Sequence, residues 1–315
     1  MSLPLTVDDV PRFVVVGQWM TDVVASLPGV LREGTDTNAH VQVLGGGAAA
    51  NTAAWLAYDG CETTLAARIG DDLLGRAGRT ELEELGVTCA LAVDPRRPSG
   101  TCIVLVAPDG ERTMIPDPGA NEALVPGDLA DGLFAPGRHL HLSGYTLLVD
   151  GSRMAGLSAL DRARLRGMTT SVDVASVGPL SDAGAARFLS WVTGVDVLFA
   201  NEAEAAFLAG LPLPAPEDDA ATSLASATLA ARTLCASVGA TVVKLGPHGA
   251  YVQDAQGVTA YSEAVEVDVV DTTGAGDAFA AGWLPAWRAG VEPRVALERG
   301  NRSAARVVSR VGARP

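Results

Sequence analysis

The sequence predicts an α/β fold built on a central, mostly parallel sheet. Three observations carry that expectation. Short β-branched runs alternate with Ala-rich stretches of helical character, the pattern of strands joined by crossover helices. Most of those runs end in Gly, Asp or Asn, as strands do where an open sheet gathers its ligands at the carboxyl edge. The composition, 48% hydrophobic with only 5% aromatic and 35 glycines, suits a sheet covered by Ala- and Leu-rich helices and excludes a disordered chain.

The strands expected in order are "RFVVVG" (12–17), "TTLAARIG" (63–70), "HLHLSG" (139–144), "TTSVDV" (169–174), "VDVLFAN" (195–201) and "TVVKLG" (241–246). Strand character recurs in "VEVDVV" (265–270), ahead of a helix in "AFAAGWLPAW". Two segments break the alternation. "TDTNAHVQVLGG" (35–46) and "GTCIVLVAPDGERTMIPD" (100–117), the latter a hairpin about Asp109-Gly110, lack flanking helices. They predict a small antiparallel sheet projecting from the main body, of the kind that serves as a lid. The Pro-rich stretch at 210–222 predicts a surface loop.

At 315 residues the chain is about twice the usual domain length, so one large domain with an appendage competes with two ordinary ones. A net charge of −14 repels phosphate backbones and anionic membranes, which argues against nucleic acid and membrane partners. An anionic small substrate stays open, because clustered backbone N–H groups can hold phosphate inside an acidic protein. Cys61, Cys89, Cys102 and Cys235 show neither CxxC pairing nor zinc spacing, and read as reduced thiols. No apolar run approaches the ~18 residues of a membrane span, and no signal peptide is evident, so a cytoplasmic location is expected.

"DTTGAGDAFAAGW" (271–283) is chemically the most suggestive stretch. Gly274, Ala275 and Gly276 fall at the start of an apolar helix, where unbonded N–H groups and the positive end of the dipole attract an anion. Asp277 beside them can take a proton from a hydroxyl while the amides stabilise charge on a phosphoryl group. The same residues would also serve as a plain turn with an acidic helix start. "LGGGAAANTAAWLA" (44–57) fits a loose dinucleotide fingerprint at Gly45, Gly47 and Ala50, with Asp71 or Asp72 about twenty residues on as the ribose acid. Asn51, however, suits a hydroxyl-rich ligand better than a pyrophosphate. In "NEAEA" (201–205), Asn201 and Glu204 share one helix face toward a nucleotide and its hydrated Mg²⁺, or else form a capping box. Lys244 ends a strand before the Gly-containing turn "LGPHGA". His139 and His141 share a strand face without metal-site spacing. No G-x-S-x-G elbow and no Walker pattern occur.

Together these stretches resemble the ribokinase, or phosphofructokinase-B, family of sugar and nucleoside kinases over nearly the whole chain. "GGGAAANTA" resembles its amino-terminal signature and "DTTGAGDAFAAGW" its carboxy-terminal one, with "NEAE" between them. The resemblance implies a ribokinase-like three-layer αβα sandwich, a single domain over 1–315, and lid segments at about 34–46 and 98–119. It implies ATP and Mg²⁺ as cofactors and transfer to a primary hydroxyl of a sugar or, alternatively, a nucleoside. It makes Asp277 the base, and the N–H groups of Gly274, Ala275, Gly276 and Asp277 the anion hole. Asp22, just after the first strand, with Gly46, Gly47 and Asn51, would contact the sugar. Asn201, Glu204 (Mg²⁺ through water), Lys244, Gly246, Gly249 and Asn301 would serve the nucleotide. Asp271 and Thr273 match positions that hold a monovalent cation such as K⁺ in some members, and lid pairing is compatible with a homodimer. A non-catalytic sugar-binding relative and an NAD-dependent oxidoreductase are the alternatives from other classes.

The chain also departs from the family pattern. Asp173 is followed by "VASVG", where many members carry an Asp-Pro-Asn-x-Arg run. "LSGYTLL" (142–148) places Ser143, Gly144 and Tyr145 where ribokinase has a sugar-facing acid, and Tyr145 could instead stack on a base.

Overall fold

The run Phe13-Val14-Val15-Val16 is at most 1% exposed at every position, which a strand achieves only when both faces of its sheet are covered. The computed structural model describes residues 10–108, 112–215 and 217–315. Along the chain come β1 (Arg12–Val16), β2 (Met20–Ser26), β3 (His40–Gly46), α1 (Ala48–Tyr58), β4 (Glu62–Gly70), α2 (Leu73–Glu84), β5 (Thr88–Asp94), β6 (Gly100–Val106) and β7 (Arg112–Asp117). They are followed by β8 (His139–Ser143), α3 (Tyr145–Leu148), α4 (Arg153–Leu165), β9 (Thr169–Asp173), α5 (Val177–Ala183), α6 (Ala185–Val192), β10 (Val197–Asn201), α7 (Glu202–Ala209) and α8 (Ala220–Leu234). The chain closes with β11 (Ala240–Lys244), β12 (Ala250–Asp254), β13 (Thr259–Ser262), α9 (Ala275–Arg288) and α10 (Pro293–Val308).

Among the described residues, nine strands form one sheet in the order β13-β12-β11-β10-β9-β8-β1-β4-β5. The seven from β11 to β5 run parallel, and β12 and β13 turn back antiparallel at one edge. Because side chains alternate across a strand, Phe13 and Val15 join a core with α1, α9 and α10, while Val14 and Val16 join one with α4, α7 and α8. The three expected layers are therefore present. All six strands marked from the sequence lie in this sheet.

The smaller sheet has the order β3-β2-β6-β7. Its inner side packs Val24, Cys102 and Val104 into a core of its own. The structure corrects the sequence reading at three places. β2 was not foreseen as a strand: Asp22, expected just after the first strand, lies inside it, antiparallel to β3 and parallel to β6. The first appendage strand begins at His40, so only part of 35–46 is extended. Residues 265–270 are not a strand, because β13 returns along β12 and leaves this stretch exposed without a strand partner. The hairpin itself is present as β6 and β7, and its turn at Asp109-Gly110 lies outside the described residues. The Pro-rich loop ends at Asp219, which caps α8.

His139 and His141 are buried and share the Ser171 hydroxyl at 2.7 Å each, which occupies both rings with hydrogen bonds. The four cysteines are free. No helix of the described residues is long and apolar enough to cross a membrane.

Candidate active site

Helix α9 begins where its sequence looks least helical. Gly274, the N-cap, has φ +77°, and a Cβ there would meet Ala313 at 2.6 Å, so only glycine makes this turn. The first bond of the regular ladder runs from Ala278 N–H to the Gly274 carbonyl, and Ala275 N–H turns back to the Thr272 carbonyl at 3.3 Å, which leaves the Gly276 and Asp277 N–H groups as the donors at the helix end. Gly276 is held bare by a different neighbour: a Cβ would lie 2.8 Å from Lys244 Nζ. Backbone donors and an ammonium thus meet at one point, with Asp277 in the same helical turn.

Asp277 Oδ2 accepts a hydrogen bond of 2.9 Å from Asn51 Nδ2 across 226 residues of sequence. Burial pushes its carboxyl up to about 7, the Asn51 bond opposes that, and Asp173 and Asp22 add to it while Lys244 opposes it. A carboxylate near neutrality with a strong appetite for a proton is what a general base requires.

These groups open on a cavity of about 1040 Å³. Gly274, Ala275, Gly276 and Asp277 line its floor, and Asn201, Glu204, Lys244, Gly246, Gly249 and Asn301 line its walls. Lys244 Nζ pairs with Asp173 at 2.6 Å. Gly246 and Gly249, both at positive φ, fold the turn after β11 tightly enough for Leu245 N–H to reach the Gly249 carbonyl. Asn201 and Glu204 do form a capping box: Glu204 accepts from the Asn201 backbone at 2.8 Å and Asn201 accepts from Glu204 N–H at 2.8 Å. Burial pushes the Glu204 carboxyl up to about 7, partly opposed by Lys244. Asn301 donates to the Ser262 and Glu263 carbonyls, so it pins the wall carrying Val265, Val267 and Val269.

On the other side of Asp277 stand the residues expected to meet a sugar. A Cβ on Gly46 would lie 2.3 Å from the Asp22 carboxylate, and Gly47 has φ +90° with its Cα against the Gln18 carbonyl. Asp22, Gly46, Gly47 and Asn51 are absent from the lining of the large cavity; Asp22 faces instead a narrow crevice under the smaller sheet, with Val24, Leu44 and Val104. Burial raises Asp22 to about 6, against the pull of Arg314. The dinucleotide reading fails here. The glycine turn is packed on Asp22 and Gln18, Asp72 caps α2 and accepts from Ser99, and Asp71 pairs in solvent with Arg76.

Asp271 and Thr273 lie together just before the start of α9, Thr273 N–H donating to Asp271 Oδ1 at 2.7 Å. Asp271 also accepts from Gly312 N–H at 3.1 Å and forms an ion pair with Arg112. Its charge is compensated by that guanidinium, an arrangement that does not fit a monovalent cation. For Mg²⁺ the cavity offers carboxylate oxygens at Glu204, Asp173 and Asp277 but, among the described residues, no cluster able to cage a metal. That suits an ion held mainly by phosphates and water.

The pfkB family carbohydrate kinase description matches residues 10–315. The chain belongs to the pfkB family of carbohydrate kinases. It is 32% identical over 277 residues to an ATP-dependent ribose-1-phosphate kinase of Halopiger xanaduensis, covering 86% of this chain and 82% of that one. It is 31% identical over 301 residues to a 2-dehydro-3-deoxygluconokinase of Thermoproteus tenax, covering 94% and 87%. The adenosine kinase of Sinorhizobium meliloti superposes with a TM-score of 0.83 at 25% identity, covering 97% and 96%. The protein is therefore a pfkB-type sugar or nucleoside kinase, not an oxidoreductase.

Three residues that bond to side chains of the candidate site escaped the sequence reading as contributors. Asp173 stands out in the sequence only through the unusual run after it, yet its position at the carboxyl end of β9, two strands from Lys244, was the available signal. Arg112 and Arg314 carried no local signal, since each reaches the site from a distant part of the chain.

Proposed function

We propose that this kinase transfers the γ-phosphoryl group of ATP to a primary hydroxyl of a sugar, with Asp277 as base and the backbone amides of Gly274 to Asp277 as anion hole. The observation that carries this reading is the meeting of Asp277, raised to about 7, with a glycine-opened helix N-terminus on the floor of one cavity. The acceptor hydroxyl gives its proton to Asp277 as its oxygen attacks phosphorus, and the bond to the β-phosphate oxygen breaks to release ADP. The amides and Lys244 Nζ receive the equatorial oxygens, and neither has to reorganise as charge moves. Bound Mg²⁺ would neutralise charge between the β- and γ-phosphates, and Glu204 with Asn201 would order its water. Gly246, Gly249 and the valine wall pinned by Asn301 supply an apolar slot for the nucleoside end of ATP.

A sugar is taken as the acceptor because the ribose-1-phosphate kinase and 2-dehydro-3-deoxygluconokinase relatives are named for sugar substrates, with a nucleoside as the alternative; the Asp22 carboxylate can accept from a hydroxyl of either. Gly46, Gly47 and Asn51 complete that side. The smaller sheet is read as the lid of a single-domain enzyme. Its outer row of Val43, Val23, Ile103 and Ile115, in register across four strands and exposed at Val43, Ile103 and Ile115, fits a second copy of the chain.

The test is Asp277→Asn in a coupled ADP-release assay. ATP binding by thermal shift should persist while turnover falls on the order of 10²-fold or more. Full turnover in this variant would reject the base assignment.

A further inference from the structure

Arg314 enters the site from the segment that follows α10. That segment is tied down along its length: Trp55 Nε1 donates to the Ala313 carbonyl at 2.9 Å, and Arg310 Nη2 donates to the Arg314 carbonyl at 2.7 Å. The Arg314 side chain is only 5% exposed. Its guanidinium has three destinations. Nη1 donates to Glu81 Oε2 at 2.7 Å, Nη2 to the Gly46 carbonyl at 2.7 Å, and Nε to Asn51 Oδ1 at 3.4 Å. The space it fills is reserved by Gly45, where a Cβ would lie 2.1 Å from Nη1.

Asn51 therefore stands between a group that can only donate and a group that, when ionised, can only accept. A guanidinium on one side requires the amide oxygen to face it, and this turns the NH₂ toward Asp277 Oδ2. The orientation of the amide follows from its neighbours and needs no other cause. Without Arg314, the amide oxygen loses the donor that fixes it, Asn51 is free to rotate, and Asp277 loses its fixed donor in turn.

We propose that Arg314 is a positioning residue for phosphoryl transfer, holding Asn51 so that its amide fixes the carboxylate of Asp277, and holding the Gly46 carbonyl beside Asp22. This rests on the assignment of Asp277 as base. Stability alone does not explain the residue: Glu81 is 41% exposed at its side chain and could be solvated without a partner, whereas burying a guanidinium costs free energy that an apolar side chain of similar size would not incur.

The charged neighbours set the sign of the pH effect. Asp277 faces Asn51 from α1, Lys244 from β11, Asp173 from β9 and Asp22 from β2. Arg314 faces Glu81 from α2, Asp22 from β2 and Cys89 from β5. The Asn51 bond lowers the Asp277 pKa, so its loss moves the acidic limb of the rate profile upward from about 7.

The experiment is a double-mutant cycle of wild type, Asn51→Ala, Arg314→Met and the double variant, with Arg314→Lys alongside, read as kcat and as its pH profile by ADP release. Arg314→Met should lower kcat on the order of tenfold, shift the acidic limb upward, and add almost nothing to Asn51→Ala. Arg314→Lys keeps the charge near Asp22 but lacks the planar fork, so it should show the same upward shift, and it answers the question should the Met variant not fold. Turnover and pH profile of Arg314→Lys equal to wild type, or losses that multiply across the cycle, would overturn the proposal. Failure of the base assignment is read separately: Asp277→Asn retaining turnover removes that reading, whereas an inactive Asp277→Asn beside a multiplicative cycle removes this inference alone.

Discussion

Lys244 Nζ stands 2.6 Å from the carboxylate of Asp173, and the same ammonium would be 2.8 Å from a methyl group added to Gly276. The pair joins the carboxyl ends of β11 and β9 across β10 and aims one positive charge at the start of α9. Asp173 and Glu204 both favour the charged ammonium and outweigh the burial that opposes it, so Lys244 titrates above the usual lysine range.

Removing the ammonium separates its two tasks. Lys244→Met should lower turnover on the order of 10²-fold, as loss of one preorganised donor to a phosphoryl oxygen does. It should also destabilise the fold by about 1–3 kcal/mol, because Asp173 is left largely buried without a partner. The double variant Lys244→Met/Asp173→Asn should regain the stability and none of the turnover. Thermal melting and ADP release of the three proteins check this; recovery of activity in the double variant contradicts the role of Lys244.

As the proposed base, Asp277 would link turnover to stability through one proton. Its carboxyl is raised from 3.8 to about 7, so the folded chain holds that proton more tightly than the unfolded chain. The resulting stability is fully present below about pH 4 and is lost as pH rises through about 7. Turnover should move the opposite way, rising about tenfold per pH unit up to the same limb. Asp277→Asn should therefore melt higher than wild type above neutrality, by a margin that shrinks toward pH 4. A margin independent of pH would show that the carboxylate is not the group being desolvated.

What could be read in the sequence was local. Asp271 to Asp277 spans one turn and the start of one helix, so glycine, helix end and carboxylate stand together within seven residues. The alternation of β-branched and Ala-rich runs likewise set the parallel sheet. β2 escaped because "MTDVVAS" becomes a strand only by pairing with β3 and with β6, some eighty residues on. Residues 265–270 show the converse: alternating valines and acids have strand character, but strand pairing needs a partner and β13 offers none. Arg314 reaches Gly46 and Asn51 across 268 and 263 residues, and no spacing in a single sequence announces that contact.

Ala175, beside the cavity just past β9, has φ +96°, the one non-glycine residue with positive φ among those described. That conformation costs an L-residue about 1–2 kcal/mol, part of which glycine returns as greater freedom of the unfolded chain. Ala175→Gly should gain a net stability of about 1 kcal/mol, seen as a rise of roughly 1–2 °C in Tm. A lower Tm would mean that the Ala175 methyl contributes more through packing than its backbone costs.

Arg112 bears on the ion requirement. It comes from β7 of the smaller sheet, forms an ion pair with Asp271, and donates to Thr272 Oγ1 at 3.1 Å. Asp271 is 7% exposed and holds both Thr273 N–H and Gly312 N–H, so a second positive charge has neither a free carboxylate nor a reason to enter. Wild-type turnover should be the same, within about twofold, in sodium and potassium salts of equal ionic strength. Arg112→Met leaves a buried carboxylate uncompensated just before the start of α9 and should lower turnover. Potassium, but not sodium, should then restore several-fold of the loss, because the larger ion is more easily stripped of water by a carboxylate and backbone carbonyls. ADP release measured in both salts for both proteins decides it. A wild-type enzyme inactive without potassium would mean that the Arg112 pair opens during turnover, and that Asp271 and Thr273 hold the cation after all.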